Sequence, residues 1–266
     1  MSIAGVLTAA AIVGGVGIFV GLFLGVAGMK FRVEVDEREE AVLGVLPGNN
    51  CGGCGFPGCS GLAAAIARGE AAVNACPVGG EPVGRQVAQI MGVEPEAAVR
   101  KTAFVRCQGD CDRTAVDYEY HGAEDCRMLS FVPNGGPKSC SYGCLGYGSC
   151  VRACAFGAIQ VVNGVAVVDR EACTACGKCV EACPKGLIGL IPYAAGYAVA
   201  CSSRDKGPVT GKACEVGCIG CQLCRKNCPN GAVEVTDFLA AINYEKCEEC
   251  GICAEKCPKK AIVVRG

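Results

Sequence analysis

The sequence predicts an α+β protein with one amino-terminal transmembrane helix, a small cysteine-bound domain and then a duplicated cysteine-rich module. Three observations predict it. Residues 3 to 29 carry no charge, the 25 cysteines fall into runs of fixed spacing, and those runs repeat along the second half of the 266-residue chain. Trp is absent and aromatics make up only 6% of residues, so little bulk is left for a large conventional core. Bound metal is expected to replace that core, because the free energy of metal binding is then also free energy of folding. A net charge of -1 argues against a nucleic-acid partner, which would need a basic face. The single histidine, His121, leaves little room for His-based acid–base chemistry and is expected on the surface.

The first element is the uncharged stretch. At 1.5 Å rise per residue it exceeds the roughly 20 residues needed to cross a bilayer. It has no basic flank before it and no small-residue cleavage site after it, so it reads as a retained anchor. Lys30 and Arg32 follow directly, which by the positive-inside rule puts the bulk of the chain on the cytoplasmic side of a single-pass cytoplasmic-membrane protein. Gly17, Gly21 and Gly25 form a small-residue face that another membrane helix can approach. Residues 31–46, acidic and of mixed charge, read as a juxtamembrane linker with some helix.

Residues 47–100 read as a single-cluster domain. Cys51, Cys54 and Cys59 lie in a loop rich in Gly and Pro, and Cys76 follows before Pro77. Such a loop lets backbone N–H groups face cluster sulfurs, and a helix over 62–73 returns Cys76 to them. A second helix is expected over 83–91, ended by Gly92 and Pro95.

The strongest signal is at the carboxy end. Cys218-x2-Cys221-x2-Cys224-x3-Cys228-Pro and Cys247-x2-Cys250-x2-Cys253-x3-Cys257-Pro carry the spacing of a bacterial two-cluster 4Fe-4S protein, in which the fourth cysteine of each run ligates the other cluster. One cluster then takes Cys218, Cys221, Cys224 and Cys257, and the other Cys247, Cys250, Cys253 and Cys228. A zinc ribbon has paired Cys-x2-Cys elements in place of triplets, and a disulfide scaffold suits small secreted domains.

The same arrangement precedes it. Cys140-x3-Cys144-x5-Cys150-x3-Cys154 and the run Cys173, Cys176, Cys179, Cys183 match Cys214-x3-Cys218-x5-Cys224-x3-Cys228 and the run from Cys247. Between the runs, strands at 159–162 and 165–168 flank Asn163-Gly164, a type I′ hairpin signal; residues 233–235 and 241–243 hold the same place in the second copy. Residues 101–200 and 201–266 are therefore read as two ferredoxin-like modules. Tyr147 stands where the second copy has Cys221. Cys140 is expected to complete that cluster with Cys144, Cys150 and Cys183, beside Cys173, Cys176, Cys179 and Cys154. Five clusters result. A sixth is expected on Cys107, Cys111, Cys126 and Cys201, with Cys214 left over.

The uncleaved span, the Cys-Gly-Gly-Cys-Gly-Phe-Pro-Gly-Cys loop with Cys76-Pro77 and Gly79-Gly80-Glu81, and the later runs together resemble the B subunit of the Rnf complex. That family is a membrane ferredoxin:NAD oxidoreductase that translocates sodium ions or protons. The resemblance covers nearly the whole chain. It implies an electron-transfer subunit that accepts electrons from soluble ferredoxin and passes them to other Rnf subunits. No Walker A lysine motif, no G-x-G-x-x-G fingerprint and no acidic residue in the span occur, so nucleotide binding and ion translocation are expected of partner subunits. Lys256, Lys259, Lys260 and Arg265 offer a basic patch for an acidic ferredoxin. The alternatives are a membrane-anchored polyferredoxin serving a hydrogenase or dehydrogenase, and an iron–sulfur sensor.

Overall fold

The computed structural model of the chain describes residues 3–30, 36–94 and 99–265, with side chains from residue 11 onward. Arg32, Pro95 and residues 31–35 of the expected linker lie outside the described residues.

Helix α1 (Ile3–Lys30) runs unbroken, and its Ala11–Lys30 portion has mean hydropathy 2.2 with none of it buried against the protein. It is long and apolar enough to cross a membrane. Three helices follow: α2 (Glu37–Val45), α3 (Gly58–Ala67) and α4 (Gly80–Met91). Asp36 caps α2, its carboxylate accepting the Arg38 N–H at 2.9 Å. Gly92 ends α4 in the left-handed region at φ 66°. Val42 of α2 and Leu46, the residue that ends it, are buried with Leu62, Ile66 and Val87. The second half of the expected linker is thus part of the amino-terminal domain, because burying these residues leaves no free connector.

The rest of the chain carries β1 (Lys101–Val105), α5 (Ser149–Arg152), β2 (Ile159–Val162), β3 (Val165–Val168), α6 (Lys178–Ala182) and β4 (Ile188–Pro192). Then come β5 (Tyr197–Val199), α7 (Gly207–Ala213), α8 (Leu223–Lys226), β6 (Val233–Thr236), β7 (Leu239–Ile242), α9 (Ile252–Glu255) and β8 (Ile262–Val264). The strands pair antiparallel throughout the described residues: β1 with β4, β2 with β3, β5 with β8, and β6 with β7. Asn163 (φ 45°) and Gly164 (φ 73°) make the β2–β3 turn, both positive as a type I′ turn requires. Pairing with β8 satisfies the backbone of β5 and draws 197–199 toward the carboxy-terminal unit, ahead of the boundary expected at 201.

Each unit has a small core of aliphatic residues and thiols. Val105, Ile159, Leu187 and Ile188 pack with Cys144, Cys150 and Cys179 in the first, and Val199, Val233 and Ile262 with Cys201, Cys218, Cys224 and Cys253 in the second. Among the described residues, no aromatic side chain is fully buried in either.

The segment after β1 stitches the two units together. Thr114 bridges Cys214, with Ala115 N–H on the Ala213 carbonyl at 3.0 Å and Glu215 N–H on the Arg113 carbonyl at 2.9 Å. Ser202 Oγ donates to the Arg106 carbonyl at 2.9 Å and Gln108 Nε2 to the Lys260 carbonyl at 2.7 Å. Arg265, expected in a solvent-facing basic patch, instead donates to the Ala195 carbonyl at 2.9 Å and is half-buried against Phe104. Its guanidinium ties the end of the chain to the β4–β5 connection. His121 is exposed, as its position outside every cysteine run suggests.

Candidate iron–sulfur sites

The cysteine loops share local backbone rules. Three residues after each fourth cysteine the chain turns through positive φ, at Gly157, Gly186, Gly231 and Lys260. That turn aims the next N–H back at the sulfur: Leu187 N–H donates to Cys183 Sγ at 3.4 Å, Ala232 to Cys228 and Ala261 to Cys257, both at 3.3 Å. Strands add further donors, Ala103 N–H to Cys173 Sγ at 3.4 Å and Ala166 N–H to Cys144 Sγ at 3.5 Å. In the amino-terminal domain Gly79 N–H donates to Cys76 Sγ at 3.3 Å. Donors directed at sulfur stabilise thiolate charge and raise the potential of a cluster held there.

Four cavities are lined by thiols in fours. Cys218, Cys221, Cys224 and Cys257 line one, and Cys154, Cys173, Cys176 and Cys179 another. Spacing makes the same residues candidate ligands of one cluster each. Burial pushes the Cys224 thiol up to about 11 and the Cys179 thiol up to about 12, their neighbouring thiols adding to it. Burial also raises Cys253, with Cys247, Cys250 and Cys228 beside it, and raises Cys76, with Cys54 and Cys59 nearby. Cys51 begins that same amino-terminal loop. A cluster takes thiolates, so the same burial couples ligation at these cysteines to proton release.

The other two cavities differ from expectation. Cys126, not Cys140, joins Cys144, Cys150 and Cys183. Ser149 is the reason: it accepts the Cys126 N–H at 3.1 Å and donates to Asp125 Oδ1 at 2.8 Å, pinning that segment to the start of α5. Tyr147, in the place of Cys221, packs edge-on against Tyr120 of the incoming segment at 5.9 Å. Burial pushes Cys150 up to about 11, with Cys144, Cys126 and Cys183 adding to it. Cys140 instead lines a cavity with Cys107, Cys201 and Cys214. Cys214, set aside on sequence, faces this cavity because the Thr114 bridge holds it there; Cys111 does not reach it and is exposed.

Lys138 is buried, only 6% exposed. Its Nζ donates to the carbonyls of Gly109 at 2.9 Å and Gly164 at 3.0 Å. Its charge opposes the upward push of burial on both Cys107 and Cys144.

The amino-terminal loop touches the first module at Gly53. A Cβ there would lie 2.8 Å from the Cys176 carbonyl oxygen and 2.9 Å from its Cβ. Gly53→Ala is therefore expected to weaken docking of the two by about 1–3 kcal/mol through overpacking. Hydrogen exchange at residues 51–54 and 174–178 should rise in the variant while the α3 and α4 amides stay protected.

A zinc site would need its ligands converging on one ion. Among the described residues no three or more His, Cys, Asp or Glu side chains do so. Thiols spread around a cavity and met by N–H donors suit a polynuclear cluster, so the residues fit the group that their spacing implies.

Comparison with known families agrees. An Fe-S cluster model matches residues 46–78, a 4Fe-4S binding domain matches 166–188, and a 4Fe-4S dicluster domain matches 217–262. The chain is 44% identical to the B subunit of the ion-translocating oxidoreductase complex of Methanosarcina acetivorans, over 96% of this chain and 97% of that one. It is 46% identical to the B subunit of the Na(+)-translocating ferredoxin:NAD(+) oxidoreductase complex of Acetobacterium woodii, over 92% and 74% of the two chains. The proton-translocating counterpart of Clostridium ljungdahlii is 41% identical, over 88% and 83%. With a span-length apolar helix, thiol-lined cavities and near end-to-end likeness to these relatives, the chain belongs to the family of B subunits of the ion-translocating oxidoreductase, or Rnf, complexes.

Proposed function

We propose that this protein is the electron-carrying B subunit of a membrane ferredoxin:NAD oxidoreductase complex. It takes electrons from reduced soluble ferredoxin and delivers them to membrane partners that reduce NAD and move sodium ions or protons. Helix α1 anchors it in the cytoplasmic membrane with the cysteine-bearing part on the cytoplasmic side. Its cysteine-rich region consists of a single-cluster domain followed by two duplicated ferredoxin-like modules.

One observation carries this reading: thiols gather in sets of four around separate cavities along the cysteine-rich region. Cys51, Cys54, Cys59 and Cys76 sit on the loop whose Gly53 abuts Cys176. Cys154, Cys173, Cys176 and Cys179 come next, then Cys126, Cys144, Cys150 and Cys183 in the same module. Cys218, Cys221, Cys224 and Cys257 and then Cys228, Cys247, Cys250 and Cys253 complete the far end. The 4Fe-4S clusters these residues would hold supply one-electron chemistry at low potential. The chain's own part is to hold the thiolates, aim N–H groups at their sulfurs and keep water from the buried ones.

The test mixes the anaerobically purified, cluster-loaded chain with reduced ferredoxin or with NADH and follows bleaching of cluster absorbance. Fast bleaching by ferredoxin and none by NADH is expected. Bleaching by another donor but not by ferredoxin would sink the assignment of an electron-entry subunit.

A further inference from the structure

The four thiols of Cys107, Cys140, Cys201 and Cys214 belong to none of the ferredoxin runs, yet they line one cavity. They come from both modules in matched pairs. Cys107 lies two residues after β1 and Cys201 two residues after β5, while Cys140 and Cys214 each lie four residues before the opening cysteine of a module, Cys144 and Cys218. The backbone repeats the match. Cys144 N–H donates to Cys107 Sγ at 3.4 Å, and Cys218 N–H donates to Cys201 Sγ at 3.2 Å. A second donor, Ser203 N–H, reaches Cys201 Sγ at 3.5 Å, and the Thr114 hydroxyl lies 3.7 Å from Cys214 Sγ. The cavity has the same complement of four thiols as those of the ferredoxin runs.

We propose that Cys107, Cys140, Cys201 and Cys214 ligate a further 4Fe-4S cluster at the junction of the two modules, two ligands from each. This rests on the cluster reading above and extends it. Four thiols facing one cavity and met by N–H donors match the chemistry of the neighbouring sites. The site touches Cys144 on one side and Cys218 on the other through hydrogen bonds between a ligand sulfur and a ligand residue's N–H, and so joins the first module's thiols to the second's. It converts two separate pairs of sites into one unbroken series. It also clamps the modules, since the hydrogen bonds from residues 106–115 to 202–215 surround it. Six groups of four then leave one of the 25 cysteines, Cys111.

The test uses the full chain purified anaerobically in detergent. Iron and acid-labile sulfide per polypeptide are measured for the wild type and for Cys140→Ala, Cys214→Ala and Cys111→Ala, with EPR spin counting after dithionite reduction. Cys140→Ala and Cys214→Ala are each expected to lose about one sixth of the iron, sulfide and spins, a single cluster's share; Cys111→Ala is expected to lose none. Full iron in Cys214→Ala overturns the proposal. Should Cys214→Ala fail to fold, native alkylation of the loaded wild type decides. Cys111 labelled, with Cys140 and Cys214 unlabelled, supports the assignment; Cys111 protected overturns it. A wild-type chain without acid-labile sulfide would instead defeat the cluster reading on which the proposal rests.

Discussion

Stripping iron from the full chain with a chelator, anaerobically and with thiols kept reduced, is expected to unfold residues 99–265 while α1 and the α2–α4 domain stay helical. The two parts differ in what fills them. Val42, Leu46, Leu62, Ile66 and Val87 make an aliphatic core that needs no metal. In the modules a comparable place is taken by thiols, with strands of three to five residues and helices of four to seven around them. Two-stranded sheets and single-turn helices are marginal alone, and cluster ligation supplies the missing folding free energy. Hydrogen exchange before and after chelation measures this. Protection should vanish in β1–β8 and persist in α3 and α4. Protection retained throughout would mean that the modules fold without metal, and the argument from core composition would fail.

Replacing Lys138 with Met is expected to lower the reduction potential of the clusters held beside Cys107 and Cys144. The ammonium is buried, and its hydrogen-bond partners are carbonyls rather than carboxylates, so its charge is not cancelled locally. A buried unit charge several ångströms from a redox centre, in a medium of effective dielectric near 20, contributes on the order of 2 kcal/mol, roughly 100 mV for a one-electron couple. The sign follows from charge. Reduction adds an electron, a nearby cation favours the added negative charge, and its loss moves the potential downward. Potentiometric titration followed by EPR reads the shift, and Lys138→Arg, which keeps the charge, should preserve the wild-type value. Equal shifts in both variants would assign Lys138 a structural role, through the Gly109 and Gly164 carbonyls it holds.

The local elements follow from residues close in sequence. Asn163-Gly164 dictates its turn and Gly92 ends its helix, because each acts through its own backbone. Three cysteines of each ferredoxin run are equally local, since two residues between them suffice to place thiols around one loop, while the fourth of each set comes from the other run. Cys126 and Cys140 are another matter. Tyr147 signalled that the first module lacked a ligand, and both cysteines were near enough in sequence to supply it. The choice was made by Ser149, which binds a segment more than twenty residues upstream. Likewise Cys214 was matched to Cys140 by the repeat, but Cys107 and Cys201 follow β1 and β5, strands of different sheets whose ends share a cavity only when the modules pack.

The apolar span, the spacing of the cysteine runs, their repetition and the family resemblance are all legible in the chain alone. These are written in short spacings and in composition, where one stretch of chain suffices. Packing was needed to bring Cys126 to the cavity of Cys144, Cys150 and Cys183, to gather Cys107, Cys140, Cys201 and Cys214 around one cavity, to leave Cys111 exposed and to bury Lys138. Each depends on hydrogen bonds between segments distant along the chain, such as Thr114 with Cys214 and Cys126 with Ser149. No spacing rule encodes a contact whose two halves are brought together only by the packing of everything between them.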